Sequence, residues 1–250
     1  MSDTITIAPD KAGWGSPILL LTWVAGTVDA IGYLGLGHVF TANMTGNAVL
    51  LGLAVGQAQF LAAFRALFAL GGFIFGVAIG AILAHRAGTD IDQRRAFVGP
   101  VFVEALVLGL FALLLNVPMI PRTQNTLYVL IGLSAVAMGI QSAAVRRLNL
   151  PGIATTVLTG TITSLVAGLV RLFHITYVSS PAEEPPLSAL GRSRHLGLQA
   201  GVFLVYVAAA TAAGIFQRRV PLIVGLSPVV AIAGVLYLAT SSSSPRDSSA

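Results

Sequence analysis

The chain contains no cysteine. Disulfides, thiolate metal sites and cysteine nucleophiles are therefore excluded. Charge is scarce as well: only 9% of the 250 residues are Asp, Glu, Lys or Arg. A soluble domain carries about 25%, so water is not the solvent for most of this surface. The histidines, His38, His85, His174 and His195, are scattered. None stands four residues from another, so no helix face offers a metal pair. Gly-x-Ser-x-Gly, His-Glu-x-x-His and phosphate-loop patterns are missing. No metal or cofactor is expected, and no enzymatic activity. Lys and Arg outnumber Asp and Glu by 14 to 9. The arginines, however, come in pairs between apolar runs, at Arg94-Arg95, Arg146-Arg147 and Arg218-Arg219. No basic face with interleaved aromatics is visible, so nucleic acid is not an expected partner.

What is present is apolar length. Apolar residues make up 56% of the chain, and the mean hydropathy is +0.87. About 20 mostly apolar residues carry a helix across the hydrocarbon core. Six segments meet that length: 17–36, 60–83, 98–117, 127–145, 196–216 and 221–239. The expected fold is all-α, a polytopic transmembrane helical bundle whose partner is the lipid bilayer. The first run is longer than a signal h-region and contains Asp29, so it reads as a retained helix.

Two further apolar segments, 39–56 and 153–173, are rich in Thr and open on a polar, broken stretch. They read as half-inserted or broken helices. They also match at a constant offset: Thr41 with Thr155, Thr45 with Thr159, Gly46 with Gly160, and Asn47 with Thr161. After a one-residue shift, Gly26 to Ala30 falls on Gly139 to Ala143. The chain therefore divides into a cytoplasmic N-terminal segment (1–16), a first membrane repeat (17–117), a connector with Pro118 and Pro121 (118–126), and a second repeat (127–240). A Pro- and Ser-rich loop (179–194) interrupts the second repeat, and a tail (241–250) of disordered composition follows it.

Arginine placement tests whether the two Thr-rich segments span. If all eight segments cross, the cations divide seven to seven and no orientation is favoured. If 39–56 and 153–173 enter and leave on one face, the N-terminal side holds ten cations against four. The second arrangement satisfies the positive-inside rule with both termini cytoplasmic. Each repeat then has three full spans, so the two run in opposite directions through the bilayer. Inverted repeats with interrupted helices are a recurring plan of transporters.

Gly26-Thr27-Val28-Asp29-Ala30, with Phe40 and Asn43-Met44-Thr45-Gly46-Asn47 after it, resembles a known family. So does Gly139-Ile140-Gln141-Ser142-Ala143 followed by Thr155 to Thr161. Together these strings resemble the YoaK-like family of bacterial multi-span membrane proteins, a domain of unknown function. The resemblance covers roughly 17–240. It implies a multi-pass protein of the bacterial inner membrane and supplies no substrate.

The candidate site residues follow from these patterns. Asp29 shares a small, polar helix face with Thr22, Gly26 and Tyr33 at i, i+4, i+7 and i+11 spacing. Asp29 and Glu104 are the acids within spans and the candidate proton sites. Gln141 and Ser142 occupy the repeat position of Asp29. Thr41, Asn43, Thr45, Gly46 and Asn47 in the first break, and Thr155, Thr159, Gly160 and Thr161 in the second, are candidates to bind a small-molecule solute. The alternative role for them is to satisfy the broken backbone. Gly72, Gly76 and Gly80 form a small-xxx-small ridge for helix packing, within the chain or in a homo-oligomer. The expected function is a transporter or channel with its path between the two Thr-Gly breaks and proton coupling at Asp29. The alternatives are a membrane enzyme acting on a lipid or isoprenoid, and a non-transporting scaffold.

Overall fold

The computed structural model describes residues 13–86, 93–117, 123–148, 150, 152–156, 158–172 and 189–241. They form the helices α1 (Gly15–Gly35), α2 (Met44–Gly56), α3 (Phe60–Arg86), α4 (Gln93–Asn116), α5 (Gln124–Arg147), α6 (Leu158–Leu172), α7 (Ala189–Phe216) and α8 (Pro221–Ser241). No strand occurs among the described residues. Six helices are long and apolar enough to cross a membrane, and they are the six expected spans. The chain is a polytopic helical bundle.

Several boundaries differ from the sequence reading because helices continue past the bilayer-length window. Residues 189–194 of the expected loop belong to α7, and residues 124–126 of the connector form the first turn of α5. The remaining loop residues 179–188, connector residues 118–122 and tail residues 242–250 lie outside the described residues.

The Thr-rich segments become the two short helices. With 13 residues in α2 and 15 in α6, they reach about 20 Å and about 22 Å at 1.5 Å per residue. The hydrocarbon core is about 30 Å thick. α2 does not bridge it, and neither do the described residues of α6. Cysteines placed at the exposed Gly35 and Gln59, on either side of α2, are therefore expected to react with impermeant reagent from one face. Gly37 is a poorer position, because its φ is +86° and an added Cβ would stand 2.7 Å from Arg65. Reaction from opposite faces would show that α2 spans.

The bundle buries polar groups within an apolar core and also presents large apolar side chains outward, which a protein in water does not. Phe60, Phe64, Phe75, Leu106, Leu113 and Val230 are all exposed, which a lipid solvent favours. In α1 and α5, 61% of the spanning residues are buried, against 22% in α3 and α7. The pair α1 and α5 is therefore the centre of the bundle.

The packing repeats. α1 packs on α7 and α8, and α5 packs on α3 and α4. α2 lies on α3, and α6 lies on α7. α3 meets α4, as α7 meets α8, while the pairs α1–α5 and α4–α8 map onto themselves. Exchanging α1–α4 with α5–α8 thus leaves the set of packed pairs unchanged.

Glycine sets the closest crossings. A Cβ on Gly26 would stand 2.7 Å from the Tyr206 carbonyl of α7, and one on the matched Gly139 would overlap the Phe73 carbonyl of α3. The ridge on α3 is used within the chain. Gly72, Gly76 and Gly80 face Gly132, Ala135, Val136, Ile140 and Ala143 of α5, so the backbones approach more closely than side chains permit.

Candidate functional site

At the first break the chain leaves α1, turns back and starts α2 within nine residues. Beyond Leu36, whose amide still donates to the Gly32 carbonyl, its amides have no helical partner until α2 begins. Asp29 supplies the acceptor. Its Oδ1 accepts from Thr41 N (2.6 Å), Ala42 N (2.6 Å) and the Thr41 hydroxyl (3.3 Å). Its Oδ2 accepts from Asn43 N (3.2 Å) and the Tyr206 hydroxyl (2.5 Å). A lone carboxylate in a span costs about 2.5–3.5 kcal/mol on insertion scales. Five donors and the N-terminal dipole of α2 offset that cost.

The other first-break residues complete the turn. Asn43 Oδ1 caps α2 by accepting from Gly46 N at 3.1 Å. Asn47, fully buried, donates to the Phe40 carbonyl at 2.6 Å and accepts from Phe40 N at 2.9 Å. Tyr33 stacks on Phe40 with ring centroids 5.4 Å apart. A Cβ on Gly46 would come within 2.8 Å of the Phe40 ring.

The second break uses the same plan with different groups. Thr161 stands where Asn47 does, and its hydroxyl accepts from Ala154 N at 3.3 Å. Gln141 Nε2 donates to the Thr155 hydroxyl at 2.9 Å and to the Leu21 carbonyl of α1 at 3.1 Å. The Thr156 hydroxyl donates to Ser142 Oγ at 3.5 Å. Neutral groups thus replace the carboxylate.

The halves differ most in what fills them. Arg146 stands at the repeat position of Tyr33, and Ala154 at that of Phe40. Among the described residues no aromatic stack closes the second break, and a Cβ on Gly160 would meet nothing within 4 Å. The result is a cavity of about 220 Å³ lined by Ser142, Arg146, Ala154, Thr155 and Thr156, with apolar Val145, Leu150 and Ile153. A second cavity of about 250 Å³ lies at the other end of α5, between Thr123, Leu127, Leu130, Gly35, Leu36, Leu115 and Gln217. The second cavity touches Gly35 and Leu36, where the chain leaves α1, but neither is lined by the polar stretch Thr41–Asn47. Open space was expected between the two breaks. Of the two polar stretches, these cavities are lined only by the second; at the first, Tyr33 and Phe40 stack.

The structure therefore gathers Asp29, Thr41, Asn43 and Asn47 in one cluster, and Gln141, Ser142, Thr155 and Thr161 in another. Thr45, Thr159 and Gly160 are exposed on the first turns of α2 and α6. Glu104 lies apart on α4, fully buried, and neither carboxylate oxygen has a hydrogen-bond partner among the described residues. Sequence reasoning missed Tyr206, whose bond to Asp29 spans 177 residues. No spacing rule reaches that far. The cavity at Arg146 was legible in principle, as two aromatic positions of the first repeat lost in the second.

The comparisons agree with this architecture. A family model described as "Protein of unknown function (DUF1275)" matches residues 18–241. The UPF0700 transmembrane protein YoaK of Bacillus subtilis (strain 168) is 45% identical over 155 residues, covering 62% of this chain and 67% of YoaK. No solved structure matches. With the family model running from α1 to the end of α8, this chain belongs to the DUF1275 family of membrane proteins of unknown function.

Proposed function

We propose that this protein is a transporter for a small polar solute, built from two inverted halves, with its path along α5. The carrying observation is the pair of cavities at opposite ends of that helix. Leu130 of one and Ser142 of the other are twelve residues apart, about 18 Å along the axis. Between them α5 is almost wholly buried, from Ser134 to Gln141. Two vestibules separated by a closed seam suit alternating access better than a continuous pore. The exchange of packed pairs between α1–α4 and α5–α8 supports a two-repeat plan, and three spans in each half would make the repeats inverted. The arginine distribution supports cytoplasmic termini in the bacterial inner membrane.

A cavity of about 220 Å³ holds the volume of about seven waters, at about 30 Å³ each. Arg146 and three hydroxyls line it, so the solute is small and accepts hydrogen bonds. Ala154→Phe should refill the vestibule with the ring that closes the first break. Flux of glycerol, alanine or acetate into proteoliposomes, followed by light scattering, is expected to fall about tenfold in this variant. If none of these solutes enters faster than into empty vesicles, the transport reading fails. If Ala154→Phe leaves the flux unchanged, the path does not run past the second break.

A further inference from the structure

Glu104 stands at the ninth position of the span Ala96–Asn116, about 12 Å from one end and about 18 Å from the other. It is completely enclosed, and both its oxygens lack a hydrogen-bond partner among the described residues. Asp29 is the contrast: five donors hold its carboxylate, so changing its charge would release the first break. Of the two acids within spans, Glu104 is the one whose proton can come and go without dismantling a hydrogen-bonded turn.

Its surroundings favour exchange. α4 packs against α3, α5 and α8. The described charged and titratable side chains on those helices are Arg65 and His85, Tyr128, Arg146 and Arg147, and Tyr237. All stand in the first or last two turns of their helices. On α4 itself, Arg94 donates to the Ala239 carbonyl of α8 across the seam. The α4–α8 pair, like α1–α5, maps onto itself when the halves are exchanged, so it is one of the contacts between them. Each of these helices has a proline at its eighth residue, Pro100 and Pro228. A proline inside a helix removes one backbone bond and weakens the turn before it. Glu104 follows Pro100 by four residues, and Ile232 follows Pro228 by four. One acid therefore stands on the buried side of a weakened helix that packs on a second weakened helix, with isoleucine in the matching place.

We propose that Glu104 is a proton-exchange site: it keeps its proton while the α4–α8 seam is closed and releases it to water when the seam opens. That this exchange drives solute movement rests on the transport reading above. The exchange itself does not.

The test is dicyclohexylcarbodiimide, an apolar reagent for protonated carboxyl groups, applied to the full-length protein in lipid nanodiscs. The expected result is one adduct, mapped by mass spectrometry to Glu104, lost in Glu104→Gln and kept in Asp29→Asn. Its rate should fall about tenfold per pH unit above the titration midpoint. If Glu104→Gln fails to fold, infrared spectra of the wild-type protein still decide. A protonated-carboxyl band that vanishes as pH rises supports the site. A pH-independent band and rate would make Glu104 a permanently neutral packing group and overturn the proposal. Labelling at Asp29 with none at Glu104 would overturn it too. Failure of solute flux with Glu104 still titrating would instead sink the transport reading alone.

Discussion

Asp29→Ala is expected to destabilise the protein by about 3–5 kcal/mol. The substitution strands the amides of Thr41, Ala42 and Asn43 and the hydroxyls of Thr41 and Tyr206. Each buried donor left without an acceptor costs about 1–3 kcal/mol, and the costs overlap because one turn holds most of them. Tyr206→Phe removes one bond and leaves the amides satisfied, so about 1–2 kcal/mol is expected there. Asp29→Asn should fall between, since it keeps one acceptor and places an amide donor among others. Denaturant titration of the purified protein in detergent measures all three. An Asp29→Ala variant within about 0.5 kcal/mol of wild type would show that water or lipid satisfies the break without the carboxylate.

Gly76→Leu is expected to leave no folded monomer. The α3–α5 interface brings Gly76 against the Val136 carbonyl so closely that even a methyl group would overlap it. Its neighbours grade the effect. A Cβ on Gly72 would stand 3.2 Å from Ala135 and the Gly132 carbonyl, while one on Gly80 would stand 2.8 Å from Ala143. The alanine series should therefore rank Gly76 worst, Gly80 next and Gly72 mildest. Overpacking costs about 1–3 kcal/mol where neighbours can shift, and backbone atoms shift least. Gly71 faces open space, so Gly71→Ala should be neutral or stabilising by up to about 1 kcal/mol. Size-exclusion profiles after thermal challenge rank the variants. Were Gly76→Ala to dissociate an oligomer into stable monomers, the ridge would join protomers and the intrachain assignment would be wrong.

The two experiments bear on the expectations in different ways. Asp29 was legible as unusual, because acids are costly in lipid and its helix face was small and polar. Its partners were not legible. Thr41 and Tyr206 lie 12 and 177 residues away, and periodicity carries no information at either distance. The glycine ridge was legible as a packing surface. Whether it met α5 or another copy depended on which helix could come close, and Gly132 and Gly139 on α5 supply the complementary grooves.

The matched Thr-Gly strings show how far pattern alone extends. They located both short helices to within a few residues, since a Thr or Asn before an apolar run is a capping signal. They also suggested that both breaks would do the same thing. The side chains decided otherwise. Tyr33 and Phe40 close the first break by stacking, whereas Arg146 and Ala154 leave the second open.

Composition and apolar run length by themselves determined that this chain lives in a bilayer with six spans, because lipid leaves a long apolar segment little choice but a helix. The internal repeat was also set in the sequence. Tertiary structure alone decided which polar groups are spent on holding the fold and which stand free. That division depends on contacts between distant residues. Asp29 is enclosed by donors from α7 and the turn into α2, and Glu104, equally buried, meets none among the described residues.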